Sequence, residues 1–464
     1  MKPSVIIVGA GMGGCVLAAA LAETWDVTMV ELDGQSTGLQ GRVVDLGRAA
    51  VTCPHLASGL GGTTTVWHNG LIEIESEVFR ERWPFPKVEL KEHYARAFQL
   101  LSGTTRSEIC STDELLRSDF INSQIPTRLL RESLYYPRRR INVWTSLGLT
   151  RQVKMVRGEV SSFRMARGNR RLAGVRVNLE SGQTELAADE VVLACGGLGT
   201  PVLLQRLAAV SDSISLQLAG HNYEDHPSGF VAEFVSSVPL YKLWNRTVSG
   251  PGGFLRLPLV IEQDGLRVSF QIRPAVQFGQ RNKIVSLLGD LRNKPLNLSN
   301  YLRLFTHWDD IIDILSLRFG LQVPTQSYAL LMVAEQPPSD AQSIVDLEGG
   351  RVGRNWDLKS TYLDSLNKAI ERVLGELTPI IEDARIFPDW VSNLFSSSHH
   401  SGTARMHHSP AAGVCNGLGQ VHGIENLHVC DGSAIPASGS ANTGLTIAAL
   451  ALRMADTLRS RKSG

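Results

Sequence analysis

The chain has 464 residues and a mixed composition, with 46 lysines and arginines against 45 aspartates and glutamates. The resulting formal net charge of +1 at pH 7 gives no global electrostatic reason to expect nucleic acid or an anionic membrane as a partner. A chain of this length is expected to form about two to three domains with ample core.

The first thirty residues combine two strand patterns, a glycine turn and a helix pattern. Residues 4–8 are β-branched and apolar, as expected of a buried strand, and the glycine-rich stretch 9–14 follows them. Small residues at 15–22 predict a helix, and the β-rich run 26–30 ends at Glu31. This order predicts a strand–turn–helix–strand unit with an acid at the tip of the second strand.

The glycines of this unit have the spacing G-x-G-x-x-G at Gly9, Gly11 and Gly14. Gly9 permits the tight turn, Gly11 lets the backbone approach a pyrophosphate, and Gly14 allows close helix–strand packing. Glu31 lies at the distance where a carboxylate accepts a hydrogen bond from a ribose hydroxyl. The unit predicts a dinucleotide site, and it leaves open whether FAD or NAD is bound.

The next segments are less specific. Residues 58–70, SGLGGTTTVWHNG, are either a loop that brings backbone and hydroxyl groups to a polar ligand or an ordinary hairpin. Residues 90–101 predict a helix, and residues 104–150 give no clear prediction.

Strand patterns dominate from residue 153. Ser181-Gly182 predicts a hairpin turn, and the apolar run 190–194, with Gly196-Gly197 and a helical pattern behind it, predicts a second strand–glycine–helix crossing. Alternating β-rich runs at 228–280 and 325–347 favour a separate antiparallel sheet.

Two further helices are expected in the second half of the chain. Residues 300–319 form an amphipathic pattern that is more typical of a core or covering helix than of a membrane-surface helix. Residues 361–377 form another helical pattern before Pro379.

The carboxyl-terminal seventy residues contain HHSGTARM at 399–406 and a long segment at 419–458. With them, the chain resembles the glucose–methanol–choline (GMC) family of FAD-dependent oxidoreductases. The supporting motifs are the first glycine turn, Gly61-Gly62-Thr63-Thr64, Trp83-Pro84, VVLACGGLGTPVLL at 191–204, NYEDHP at 222–227, EQPP at 335–338, and the closing set His399, Gly402, Thr403, Asp431, Ser433, Pro436, Asn442 and Thr446.

The resemblance implies an α/β fold, with a Rossmann-like FAD-binding domain and an inserted α+β substrate-binding domain that contains an antiparallel sheet. The FAD-binding domain is expected at 1–220 and 391–464, the latter part carrying the catalytic residues. The substrate-binding domain is expected at 221–390.

The resemblance also implies the reaction and its residues. An alcohol of a sugar, polyol or secondary metabolite would be oxidised to a carbonyl, with hydride transfer to flavin N5, His399 as the base and Asn442 as the orienting partner. The residues expected to bind the cofactor are Gly9, Gly11, Met12, Gly14, Glu31, Gly61, Gly62, Thr63, Val160, Asp431, Gly432 and Thr443.

Two departures from the family pattern affect these expectations. Thr443 follows Asn442 where the family usually has proline, which predicts a less rigid backbone beside the flavin. Val66 occupies the position at which some members attach FAD through a histidine, so non-covalent FAD is expected, although His68 is close by. Trp67 matches a tryptophan of members that oxidise sugars and polyols.

The remaining expectations concern partners and location. The six cysteines lack C-x-x-C spacing, which predicts free thiols in a reducing compartment, and the His407-His408 pair lacks the accompanying ligands of a metal site. No apolar stretch is long enough to span a bilayer, and we expect a cytoplasmic protein. The electron acceptor stays open between oxygen, a quinone and a redox protein. The alternatives are a non-redox lyase of the same family and a non-catalytic FAD-binding protein.

Overall fold

The structure is a computed structural model. It describes residues 2–32, 42–47, 57–168, 170–238, 252–274, 327–339 and 341–462, together with positions 240, 243, 246–248, 299 and 301. Apart from Tyr301, the amphipathic segment 300–319 lies outside the described residues.

The strands and helices are numbered in chain order. The strands are β1 (Ser4–Val8), β2 (Asp26–Glu31), β3 (Val43–Asp45), β4 (Leu134–Pro137), β5 (Lys154–Arg157), β6 (Glu159–Met165), β7 (Leu172–Leu179), β8 (Gly182–Leu186), β9 (Glu190–Leu193), β10 (Pro227–Ser236), β11 (Arg246–Thr247), β12 (Gly253–Arg256), β13 (Leu259–Gln263), β14 (Leu266–Pro274), β15 (Ser327–Ala334), β16 (Ser343–Leu347), β17 (Arg351–Asn355), β18 (Ile381–Ile386), β19 (Phe395–Ser396) and β20 (Leu427–Val429). The helices are α1 (Met12–Leu21), α2 (Ser76–Arg82), α3 (Lys91–Ser102), α4 (Arg106–Asn122), α5 (Val143–Ser146), α6 (Gly196–Ala208), α7 (Ser360–Leu377) and α8 (Gly444–Lys462).

A five-stranded sheet in the order β20-β9-β1-β2-β5 forms the base of the first layer. All of its pairings are parallel, and the central strand β1 is almost completely buried because it is apolar on both faces. Helices α1 and α8 pack against each other. The sheet therefore joins segments from the beginning, the middle and the end of the chain.

A second, antiparallel sheet has the order β13-β14-β15-β10-β18, with β19 paired to β10. It confirms the antiparallel sheet expected from the alternating runs. Three of the described strand pairings cross the expected domain boundary, since β3 pairs with β17, β4 pairs with β12 and β19 pairs with β10. The three-part domain division stays a prediction.

Several local predictions agree with the structure. The hairpin turn at Ser181-Gly182 connects β7 and β8, and five cysteines are free, while Cys53 lies outside the described residues. In the part of the chain that the structure describes, no helix is both long and apolar enough to cross a bilayer.

Candidate functional site

A cleft of about 220 Å³ opens where the carboxyl ends of β1, β2 and β9 meet the amino terminus of α1. Ligands of open parallel sheets bind at this edge, because the loops that leave the strands there form a crevice. The backbone N–H groups of the first turn of a helix lack partners within the helix and can meet an anion.

The three motif glycines have different roles in forming this cleft. A Cβ atom on Gly9, whose φ is +107°, would lie 2.3 Å from the Ala194 carbonyl oxygen, and one on Gly14 would lie 2.1 Å from the Gly9 carbonyl oxygen. A Cβ on Gly11 would come no closer than 3.9 Å to Ala194. Gly9 and Gly14 therefore permit close packing, whereas Gly11 leaves space at the surface of the cleft.

Glu31 lines the cleft and also holds two loops together. Its Oε2 accepts a hydrogen bond from the Ala10 N–H at 2.5 Å, and its Oε1 accepts one from the Gly59 N–H at 3.0 Å. Burial raises the pKa of the carboxyl group, although these backbone hydrogen bonds oppose the shift. The expected role of Glu31 toward a ribose stays a prediction beside this structural one.

The second glycine loop packs directly on the first. The Gly61 N–H donates to the Ala10 carbonyl at 2.9 Å, and a Cβ on Gly62 would lie 2.9 Å from the Gly11 Cα. Residues Gly62–Thr65 form a single 3₁₀ turn, so the segment is a folded loop and not an ordinary hairpin. Gly62 and Thr63 line the cleft, while Gly61 faces the Asn142 side chain.

Asp431 fixes the carboxyl-terminal edge of the cleft. Its Oδ2 accepts hydrogen bonds from the Gly196 N–H at 2.8 Å and the Thr200 hydroxyl at 2.5 Å, and its Oδ1 accepts one from the Ser433 N–H at 2.8 Å. The side chain thereby ties the β9–α6 turn to the loop that follows β20.

The cleft collects most of the residues predicted to bind the cofactor. Those that line it are Gly9, Gly11, Met12, Glu31, Gly62, Thr63, Val160, Asp431, Gly432 and Thr443. Four predicted site residues do not, namely Gly14, Gly61, His399 and Asn442. Sequence reasoning missed the lining residues Arg42, Arg206 and Ser398, which belong to none of the family motifs.

His399 belongs to a polar network beside the cleft. Its Nδ1 shares a hydrogen bond of 2.9 Å with the Nδ1 of His226, whose Nε2 in turn pairs with the Ser438 hydroxyl at 2.9 Å. Asp225, fully buried, accepts hydrogen bonds from the backbone N–H groups of His226 at 2.7 Å and His399 at 3.0 Å. The position of His399 is thus fixed through both its ring and its backbone.

The neighbouring His400 has different contacts. Its Nδ1 lies 2.8 Å from the Tyr223 hydroxyl and 3.3 Å from the Asp225 Oδ2, and the residue lines the cleft. The adjacent imidazoles therefore have separate environments, and only His400 contributes to the cleft surface.

The network also determines protonation. Burial, followed by the charge of His226, lowers the pKa of His399 to about 3, and burial lowers that of His226 to about 4. Burial alone would raise the pKa of Asp225. The charge of His400 and the hydrogen bond that His400 makes to Asp225 instead hold this pKa below its usual range. His399 is consequently a neutral imidazole at pH 7, and its Nε2 has no hydrogen-bond partner among the described residues. In the tautomer whose Nδ1 donates to His226, the Nε2 of neutral His399 carries a lone pair that can accept a proton.

Asn442 lines a separate small cavity, together with Glu75, Gln271 and Ser440. Its Nδ2 lies 3.1 Å from the point where a Gly70 Cβ would be. Thr443 is buried and its carbonyl accepts the Ile447 N–H at 2.9 Å, so the residue that replaces the family proline is held by the first turn of α8.

The segment around the family's covalent-attachment position follows the 3₁₀ turn. Val66 ends this turn, the Trp67 indole N–H donates to the Ile141 carbonyl at 2.7 Å, and His68 is exposed. A non-covalent cofactor stays a prediction. Within the described ranges, no three potential ligand side chains are grouped to hold a metal ion.

Comparison with known proteins gives a consistent result. A family model described as GMC oxidoreductase matches residues 370–451. An oxygen-dependent choline dehydrogenase from Staphylococcus aureus is 27% identical over 331 residues, which cover 63% of this chain and 54% of that protein. The chain thus spans about half the length of the curated relatives it matches.

Solved structures extend the similarity to the whole fold. A pyridoxine 4-oxidase from Mesorbium loti has a TM-score of 0.62 at 16% identity, covering 99% of each chain. A formate oxidase has a TM-score of 0.64 at 16% identity, covering 100% of this chain and 99% of that one. The resemblance predicted from the motifs is therefore confirmed: residues 370–451 match the GMC oxidoreductase model, and the chain shares the mixed α/β fold of these oxidases.

Proposed function

We propose that this protein binds FAD in the cleft, without a covalent link, and oxidises the CH–OH group of a small alcohol to a carbonyl. The observation that carries the proposal is that one cleft is lined both by the glycine turn at Gly9–Gly13 and by Ser398 and His400, which flank the predicted base His399. The GMC resemblance favours FAD over NAD, and one set of solved formate oxidase structures concerns modification of its FAD.

The residues of the cleft fit such a cofactor. The open face of Gly11 provides room for a pyrophosphate next to the backbone N–H groups of α1, and Glu31 lies at the end of β2 where a ribose would follow. In the proposed domain division, residues 1–220 and 391–464 hold the cofactor and residues 221–390 cover the substrate.

The protein's own residues would handle the proton of the reaction. The neutral His399 would accept the hydroxyl proton at Nε2, while Asp225 and His226 hold its backbone and ring in place. The Asn442 amide would orient the substrate oxygen. When bound, the flavin supplies the acceptor for the hydride that leaves the alcohol carbon.

The alternatives are a lyase that uses the histidine without net oxidation and a protein that only binds FAD. The presence of His399 and Asn442 argues against mere binding, because binding of the cofactor requires neither a proton acceptor nor an orienting amide. The electron acceptor could be oxygen, a quinone or a redox protein.

Anaerobic mixing of the FAD-loaded protein with a panel of alcohols tests the function. The panel should include choline and pyridoxine, which the names of the relatives suggest, together with sugars and polyols. At least one alcohol should bleach the flavin absorption, and acid precipitation should release all the flavin into the supernatant. Product formation without bleaching would support the lyase, and flavin in the pellet would refute the non-covalent link.

A further inference from the structure

Two half-buried arginines, Arg256 and Arg273, lie at the carboxyl-terminal ends of β12 and β14. The Arg256 guanidinium stacks over the rings of Tyr136, at 4.4 Å, and Phe254, at 4.8 Å. Burial, followed by the charge of Arg256, lowers the pKa of Arg273 to about 9. The charge of Arg256 therefore acts against the charge of Arg273.

In the part of the chain that the structure describes, no carboxylate compensates the charge of Arg273. Its Nε is buried without a hydrogen-bond partner, and among the described residues no carboxylate oxygen lies within 4.0 Å of its guanidinium nitrogens. Arg267, on the same strand, pairs with Glu81 at 2.7 Å and with Glu335 at 3.6 Å. Among the described residues, acidic partners therefore compensate Arg267 of β14 but not Arg273.

The position of Arg273 connects it to the candidate catalytic residues. Gln271, two residues earlier on β14, lines the same cavity as Asn442, and strand alternation places Arg273 on the same face of the sheet. From the other side, the Tyr136 ring and the Asn442 amide both reach within 3.2 Å of the point where a Gly70 Cβ would lie. Tyr136 therefore lies between the arginines and Asn442.

This arrangement has a chemical consequence. Buried guanidinium groups are costly unless they are paired, and their planar N–H groups match the oxygens of a carboxylate, phosphate or sulfate. We propose that Arg273, with Arg256 beside it, binds an oxyanion of the substrate, so that the alcohol oxidised at His399 and Asn442 carries a negatively charged group. This inference rests on the proposed function for the identity of the oxidised group, but not for the anion site itself.

The anion site is tested without catalysis. Calorimetric titration of the FAD-loaded protein with sodium sulfate, inorganic phosphate or benzoate, at constant ionic strength, should give saturable binding of at least one oxyanion. Arg273→Gln should weaken that binding about 10- to 100-fold, as expected for loss of a charge-assisted pair, and Arg273→Lys should retain part of it. The phosphate and benzoate arms distinguish a phosphoryl-type from a carboxylate-type ligand.

Arg385→Gln is the matched control, because Arg385 lies on β18 of the same sheet, is half-exposed and already pairs with Glu233. It should leave anion binding unchanged. Unaltered FAD content and circular dichroism would show that the variants are folded. Absence of saturable binding in the wild-type protein, or equal binding by Arg273→Gln, would overturn the anion site.

Matched alcohols then connect the site to the reaction. 4-(Hydroxymethyl)benzoate should reduce the flavin at lower concentrations than benzyl alcohol, and Arg273→Gln should remove this difference by raising the dissociation constant of the charged alcohol alone. If uncharged alcohols bleach the flavin and Arg273→Gln changes the dissociation constant of neither the charged nor the uncharged alcohols, the inference fails and the proposed function stands. If oxyanions bind but no alcohol bleaches the flavin, the proposed function fails and the anion site stands.

Discussion

The two sides of the cleft are held in different ways. On the glycine side, Gly9 and Gly14 allow backbone segments to approach so closely that a single added carbon would overlap a carbonyl oxygen. On the histidine side, Asp225 and His226 fix His399 through two partly buried hydrogen bonds. The glycine side depends on close backbone packing and the histidine side on protonation. Added side-chain volume should therefore disrupt the first, and acidification the second.

A pair of glycine variants tests the shape-dependent side and should give the largest change in stability. Gly14→Ala places a Cβ 2.1 Å from the Gly9 carbonyl oxygen, and we expect a loss of about 3 kcal/mol in the free energy of unfolding. Gly11→Ala has 3.9 Å of clearance and should remain stable while losing FAD affinity, because the methyl group enters the cleft. Denaturant unfolding and FAD titration of both variants measure the two effects. Equal stability of the two proteins would contradict the separate roles.

Substitution of Glu31 tests whether FAD binding on the glycine side also depends on a polar side chain. Glu31→Ala removes the proposed ribose acceptor, which corresponds to about 1.5–3 kcal/mol, so the FAD dissociation constant should rise by about one to two decades. Glu31→Gln is a useful comparison, since the amide oxygen can still accept from Ala10 or Gly59. An unchanged dissociation constant in Glu31→Ala would restrict the residue to its structural role.

Acidification should affect the histidine side. The pKa of His226 is about 4 in the folded protein and that of His399 about 3, against 6.5 for an unperturbed histidine. The unfolded chain therefore binds more protons between these values, and stability should fall as the pH decreases below 6.5, by at most about 1.4 kcal/mol per pH unit for each histidine.

Thermal unfolding between pH 7 and 5 measures this slope. His226→Asn should reduce it, whereas His408→Asn, a change in another neighbouring histidine pair, serves as the control. A slope that is the same in all three proteins would contradict the buried, neutral state of His226.

The same contrast explains what the sequence could predict. The glycine side is encoded in a contiguous segment, and its elements at Ser4–Val8 and Asp26–Glu31 agree with the sequence patterns almost residue for residue. The histidine side is assembled from residues near positions 225, 399 and 438, so their mutual contacts depend on the tertiary fold. The motifs identified the positions of His399 and Asp225 without indicating that they touch.

Other features were missed for identifiable reasons. Helix α4 lies in the segment 104–150 that gave no prediction, although Thr105 and Glu108 form a capping box that could have located its beginning. The arginine pair could not be found because Arg256 and Arg273 become neighbours only through the arrangement of β12 and β14.

The central claim is that His399 is the proton acceptor and that its neighbour His400 is not. Rapid mixing of an alcohol with the FAD-loaded protein under anaerobic conditions, with flavin bleaching as the signal, tests it in His399→Ala, His400→Ala and Asn442→Ala. We predict that His399→Ala slows bleaching by about 10²–10⁴-fold, with partial recovery at high pH, and that Asn442→Ala costs only about 0.5–1.5 kcal/mol. His400→Ala should bleach at nearly the wild-type rate, and the opposite result, an inactive His400→Ala with an active His399→Ala, would contradict the assignment.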